Sequence, residues 1–173
     1  MKRIPLTQGQ FALVDDEDFE LVSGHLWYAL LNKQSRTFYA IRRGKNADGH
    51  RGTIYMHRVL MGANRSCYVD HENHNGLDNR RRNLRLCTGS QNSCNRRVPS
   101  NNNSGLRGVH WNKKQRRWIA QIAVRRKTEH LGTFSSKSAA DMAYDRAATE
   151  IHGEFAMTNK KLGLLKRATE RRA

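Results

Sequence analysis

The run Tyr68-Val69-Asp70-His71 sets a carboxylate beside an imidazole, and two amides follow at fixed intervals. Asn83 comes thirteen residues after Asp70, and Asn92 twenty-two. Carboxylate and amide oxygens are hard donors of the kind that hold a divalent cation. A neighbouring imidazole can take a proton from water near neutral pH. In a strongly basic chain, this set is what metal-assisted phosphodiester cleavage needs.

The flanking text says which elements must position these groups. An apolar residue precedes Asp70, Asn83 adjoins Leu84-Arg85-Leu86, and Asn92 falls in a polar segment with helix-start signals. The expected order is strand, loop, strand, helix. Upstream, Leu26–Leu30, Thr37–Ile41 and Thr53–Met56 are rich in aromatic and β-branched residues and are separated by polar or glycine-containing gaps. They predict an antiparallel sheet, with His57 on its last strand. Asp15-Asp16-Glu17-Asp18 before Phe19, Leu21 and Val22 predicts a short helix ending at Gly24.

Charge narrows the class of partner. The 173 residues carry a formal net charge of +17, and residues 57–173 hold +15 of it. Such a surplus points to a polyanion, most simply nucleic acid. Arg42, Arg43, Lys45 and Arg51 cluster at one expected hairpin, where tracking phosphates and a solvated loop are both open. No signal-peptide pattern and no apolar run of membrane length occurs. A cytoplasmic protein acting in a bacterial host cell is therefore expected.

Residues 98–104 form a small polar linker that includes a proline. Behind it, Gly108–Trp111, Arg117–Val124 and Glu129–Phe134 predict three strands. Ser135-Ser136-Lys137-Ser138 then caps a helix with an alanine-rich face through Ile151. Residues 160–173 predict a basic tail.

Two resemblances follow from these texts. Met56-His57-Arg58, Val69-Asp70-His71, Leu77-Asp78-Asn79-Arg80, Asn83-Leu84 and Ser90-Gln91-Asn92, in that order, make residues 53–97 resemble the HNH endonucleases of the homing type found in phages and introns. Asn92 stands where the family name has its last His, an H-N-N variant. The resemblance implies an α+β fold in which residues 1–97 pair an N-terminal antiparallel sheet with a ββα-metal motif. It implies His71 as general base and Asp70 and Asn92 as ligands of Mg²⁺ or Mn²⁺. Asn83 would orient His71 or brace the loop. Arg80, Arg81, Arg82 and Arg85 would grip phosphates.

Residues 105–159 resemble the plant ethylene-response-factor (APETALA-two type) DNA-binding domain. The resemblance is carried by Leu106-Arg107-Gly108-Val109, Arg117–Ile122, Leu131–Phe134 and the Ala139–Ala148 helix. It implies a three-stranded sheet packed on one helix, reading the major groove through Arg107, Trp111, Arg117, Trp118 and Arg125. Gln121 and His130 depart from the plant pattern.

The reading is a site-specific, Mg-dependent DNA endonuclease acting on double-stranded DNA. It would be a monomer or weak dimer, with no membrane or protein partner implied. A DNA-binding regulator with an inactive nuclease part is the alternative. Cys67, Cys87 and Cys94 lack the paired spacing of a structural zinc site. Metal analysis of protein purified without chelator should accordingly find no stoichiometric zinc that survives dialysis.

Overall fold

The computed structural model describes residues 1–45, 49–95, 98, 102–124 and 127–164. The chain divides into two compact units, Met1–Asn92 and Ser93–Ala173.

The first unit opens with a hairpin of β1 (Lys2–Pro5) and β2 (Phe11–Val14), followed by the one-turn helix α1 (Phe19–Ser23). A meander of β3 (Tyr28–Asn32), β4 (Thr37–Lys45) and β5 (Arg51–Tyr55) comes next. Its register is regular, so residues alternate strictly between faces. Phe38, Ala40 and Ile54 turn to a core with Ile4, Val14, Val22, Trp27, Met56, Leu60, Leu77 and Leu84. Tyr39, Ile41, Arg43 and Lys45 stand on the opposite face.

At Met56 the chain leaves the sheet and enters the one-turn helix α2 (Met56–Leu60). His57 therefore lies on a helix and not on the strand its neighbours suggested. Met56 and Leu60, four residues apart, both reach the core through one helical turn. The antiparallel pair β6 (Tyr68–His71) and β7 (Leu84–Cys87) follows, and then α3 (Gly89–Cys94). The expected order of strand, loop, strand and helix is thus present. A Cβ on Gly89 would lie 3.3 Å from the Tyr68 ring, so the start of α3 rests on β6.

The loop between β6 and β7 is built by side chains acting as backbone partners. The Asn83 amide donates to the Asp78 carbonyl (2.7 Å), and Asn83 Oδ1 accepts the Asn73 N–H (3.0 Å). Asp78 takes both Nε and Nη2 of Arg80 at 2.6 Å and the Asn73 amide at 2.8 Å. β2 clamps the loop from outside: the Leu13 N–H donates to Leu77 O, and Leu13 O accepts the Asn79 N–H, both at 2.8 Å. The acidic run near α1 serves the loop as well. Asp18 makes no side-chain cap but binds the Arg81 guanidinium (2.7 and 2.8 Å), and Asp15 accepts the Arg81 N–H (2.7 Å).

In the second unit β8 (Val109–Asn112), β9 (Arg117–Val124) and β10 (Lys127–Phe134) form an antiparallel sheet in the order β10-β9-β8. The helix α4 (Lys137–His152) lies on one face, with Ser136 Oγ accepting the Ala139 N–H. Ala140, Tyr144 and Ala148 pack on Val109, Ala120 and Ile122, small side chains bringing helix and sheet close. Asn102 Oδ1 takes the Gly105 N–H, and the Asn102 amide binds Leu106 O. The described end of the expected linker is thus a tight turn leading into the buried Leu106. At the other end Asn159 clasps both backbone groups of Arg107 (2.7 and 3.1 Å), and Leu164 packs on the core. Lys160–Leu164 therefore belongs to the fold, and the rest of the expected tail lies outside the described residues.

Two substitutions test this architecture. Gly108 has φ +66°, and a Cβ there would strike the Tyr144 ring and the Gln121 carbonyl. Gly108→Ala should cost about 2–4 kcal/mol in urea unfolding. Asp78→Asn should cost about 1–3 kcal/mol by stranding Arg80 and weakening the loop. The Arg80 guanidinium holds the Asp78 carboxyl below its ordinary range. That stabilisation is present above pH 3.8 and is lost as pH falls through the lowered value. The Asp78→Asn variant should therefore lose less stability than wild type on acidification in this window, measured by thermal melts across pH.

Candidate active site

His71 closes β6 and is buried, at 6% exposure. Its Nε2 lies 3.2 Å from Asn79 Oδ1. The amide of Asn79 is itself fixed, because its nitrogen donates to Leu77 O (3.3 Å). The oxygen is the atom that faces the ring, so Nε2 carries the proton and Nδ1 the lone pair. Burial pushes the His71 pKa below its ordinary value, while the Asn79 bond and the charges of Asp70 and Asp78 pull it back upward. A histidine so placed is neutral at pH 7 and can accept a proton at Nδ1.

A ring cluster surrounds it. His57 meets His71 edge to face with centroids 4.9 Å apart, and Tyr39 meets His71 at 5.7 Å. Tyr55 stacks on His57 at 5.3 Å. Register explains the meeting: Ile41 pairs with Tyr55, so the residue level with Tyr39 is His57, just past the end of β5. Burial drives the His57 pKa well down, with the charges of His71 and Arg58 adding to it. Its Nδ1 is buried with no hydrogen-bond partner among the described residues.

Asp70, also buried, faces Arg85 directly across the β6–β7 ladder and takes its guanidinium on Oδ2 at 2.8 and 2.9 Å. Asn92 is half-buried on α3, with its backbone N–H bonded to Thr88 O. No group of three or more His, Cys, Asp or Glu able to hold a metal occurs among the described residues. A cation here would rest on one carboxylate, one amide oxygen and water, which suits Mg²⁺. Cys87 lies buried on β7, its thiol pushed up to about 11 by burial, and Cys67 is half-buried just before β6.

Several expected site residues are engaged within the fold itself. The contacts of Asn83 are those of a loop brace, and the amide that meets His71 is Asn79. Arg80, Arg81 and Arg85, expected on phosphates, are held by Asp78, Asp18 and Asp70. Arg82 is exposed.

In the second unit sheet alternation separates the expected contacts. Trp111 and Trp118 are cross-strand partners with rings 5.2 Å apart, and Trp118 packs with the core under α4. Arg117, one residue before it, belongs to the opposite face with Ile119, Gln121 and Ala123. Arg107 is half-buried, donating to Ser93 O at 3.4 Å. Arg125 lies outside the described residues. Gln121 and His130 are direct cross-strand partners on the outer face.

No protein-family model matches the chain. It is 31% identical over 159 residues to an uncharacterized HNH endonuclease of Acanthamoeba polyphaga mimivirus, with 88% of this chain and 76% of that protein covered. It is 33% identical over 89 residues to protein 3.8 of Escherichia phage T7, with 51% and 73% covered. No helix among the described residues is long and apolar enough to cross a membrane. With the first relative covering nearly the whole chain, the protein belongs to the HNH endonuclease family.

Proposed function

We propose that the chain is a metal-dependent endonuclease that hydrolyses phosphodiester bonds of double-stranded DNA at a preferred site. The observation that carries this reading is the buried His71 with its Nε2 3.2 Å from Asn79 Oδ1, from which we assign the proton to Nε2 and the lone pair to Nδ1. In this reading His71 Nδ1 takes a proton from water as the water oxygen bonds to phosphorus. The bond from phosphorus to the 3′-oxygen breaks, the electron pair stays on that oxygen, and it takes a proton from solvent water. Asn79 keeps the ring in the required tautomer, and His57 and Tyr39 limit its rotation. Asp70 and Asn92 would hold Mg²⁺, which as a Lewis acid supplies stabilisation of the charge developing on the phosphate and leaving oxygens.

The second unit would supply selectivity. A three-stranded sheet with a helix on one face can present the other to a major groove. On that face Arg117 is the described arginine best placed to meet a guanine edge, while Trp118 and Arg107 serve the scaffold and the exposed Trp111 meets the Trp118 ring.

Plasmid cleavage with Mg²⁺, compared with EDTA, tests the reading directly. His71→Ala should lower cleavage by about 10²–10⁴-fold with DNA affinity nearly unchanged; normal cutting by that variant would remove His71 as the base. Arg117→Ala should relax preference at one base position, worth roughly 1–3 kcal/mol. A loss uniform across sequences in a binding selection would show that Arg117 meets only phosphate.

A further inference from the structure

One face of the β3-β4-β5 sheet joins the histidine pair to a cluster of cations. Strand alternation places Tyr39, Ile41, Arg43 and Lys45 of β4 on it, with Arg51, Thr53 and Tyr55 of β5 beside them. Its inner end is the ring cluster, where Tyr39 meets His71 and Tyr55 meets His57. Its outer end is basic. Lys45 and Arg51 are direct partners across the ladder, and Arg43 bonds Thr53 Oγ1 at 3.1 Å. Arg43, Lys45 and Arg51 are all exposed, and no Asp or Glu stands on this face of the three strands. A cavity of about 520 Å³ is lined by Arg43, Lys45 and Arg51 with Gly44 and Gly52.

Like charges directly opposite in an antiparallel pair are unfavourable. Arg80, Arg81 and Arg85 are matched to carboxylates, but Arg43, Lys45 and Arg51 have no ion-pair partner among the described residues. An arrangement that costs stability in the isolated chain becomes favourable against a polyanion. At about 3.4 Å per residue, Tyr39 to Lys45 spans roughly 20 Å. Measured along the helix axis, one strand of B-DNA carries about six phosphates over that length.

We propose that this face is a track for the phosphate backbone of duplex DNA, running from the histidine pair to Arg43, Lys45 and Arg51. The track rests on the nuclease reading above and adds to it the surface that holds the substrate beside the scissile bond. It is sequence-independent, because cations on phosphates fix position and carry no base code.

The test is the salt dependence of duplex binding by the full chain with chelator present. Arg43→Gln, Lys45→Gln and Arg51→Gln together should lower the slope of log affinity against log salt by about 2–3, and each alone by about one. Lys2→Gln, an exposed cation on β1, should leave the slope unchanged. Lys45→Gln should melt at or above the wild-type temperature, since it relieves a like-charge pair, and so its weaker binding would not be a folding defect. An unchanged slope in the triple variant, or an equal drop in Lys2→Gln, overturns the track while leaving wild-type cleavage and the nuclease reading intact. Wild-type chain that binds no duplex overturns both.

Discussion

The hydrogen bond between His71 Nε2 and Asn79 Oδ1 is the interaction on which the first unit is organised. An imidazole taken out of water must have its N–H satisfied, or its burial costs on the order of 1–3 kcal/mol. Asn79 satisfies it only if the amide is aimed, and aiming it takes three further sets of contacts. Leu77 O orients the amide nitrogen. Both backbone groups of Leu13 hold the segment from outside, and Asp78 with Arg80, Asn73 and Asn83 fixes the loop's path. The hairpin of β1 and β2 therefore belongs to the site, although it contributes no reacting group. In the proposed reaction the same buried bond sets the chemistry. With its proton directed at Asn79 from one nitrogen and its pKa lowered by burial, the ring carries its lone pair on the other.

Much of this frame was legible in local sequence, because local signals decide it. The alternating runs gave β3, β4 and β5, and the apolar residues flanking Asp70 and Asn83 gave β6 and β7. Ser136 and the alanine spacing gave α4. What escaped depends on partners far along the chain. Asn79 and Asn83 sit in one asparagine-rich loop and look alike. Which one meets the imidazole is settled by Leu13, sixty-six residues before Asn79. Asp15 and Asp18 carry a genuine helix-start signal, yet their carboxylates reach to Arg81. His57 was displaced from strand to helix because Met56 and Leu60 must both enter the core.

The faces of the second sheet show the same limit. Arginine and tryptophan at neighbouring positions look like one binding set in sequence. The pleat sends Arg117 and Trp118 to opposite sides, and α4 claims the side with Trp118. Composition cannot reveal this, although alternation counted from a buried Ala120 could have.

Net charge is the plainest signal in the chain and the least informative about place. A guanidinium that holds a loop offers substrate only its remaining N–H donors, and a partly buried pair is costly to break. Arg80, Arg81 and Arg85 are nearest the motif in sequence, but they are bound to Asp78, Asp18 and Asp70 and so maintain geometry. Cations facing one another without such carboxylates, as Lys45 and Arg51 do, keep their full charge and repel. Their attraction for a phosphate backbone is then undiminished by any competing carboxylate among the described residues. The useful division of a basic surface is therefore between arginines already bound to carboxylates and cations still crowding one another, and here the second kind shares a sheet face with the rings that enclose His71.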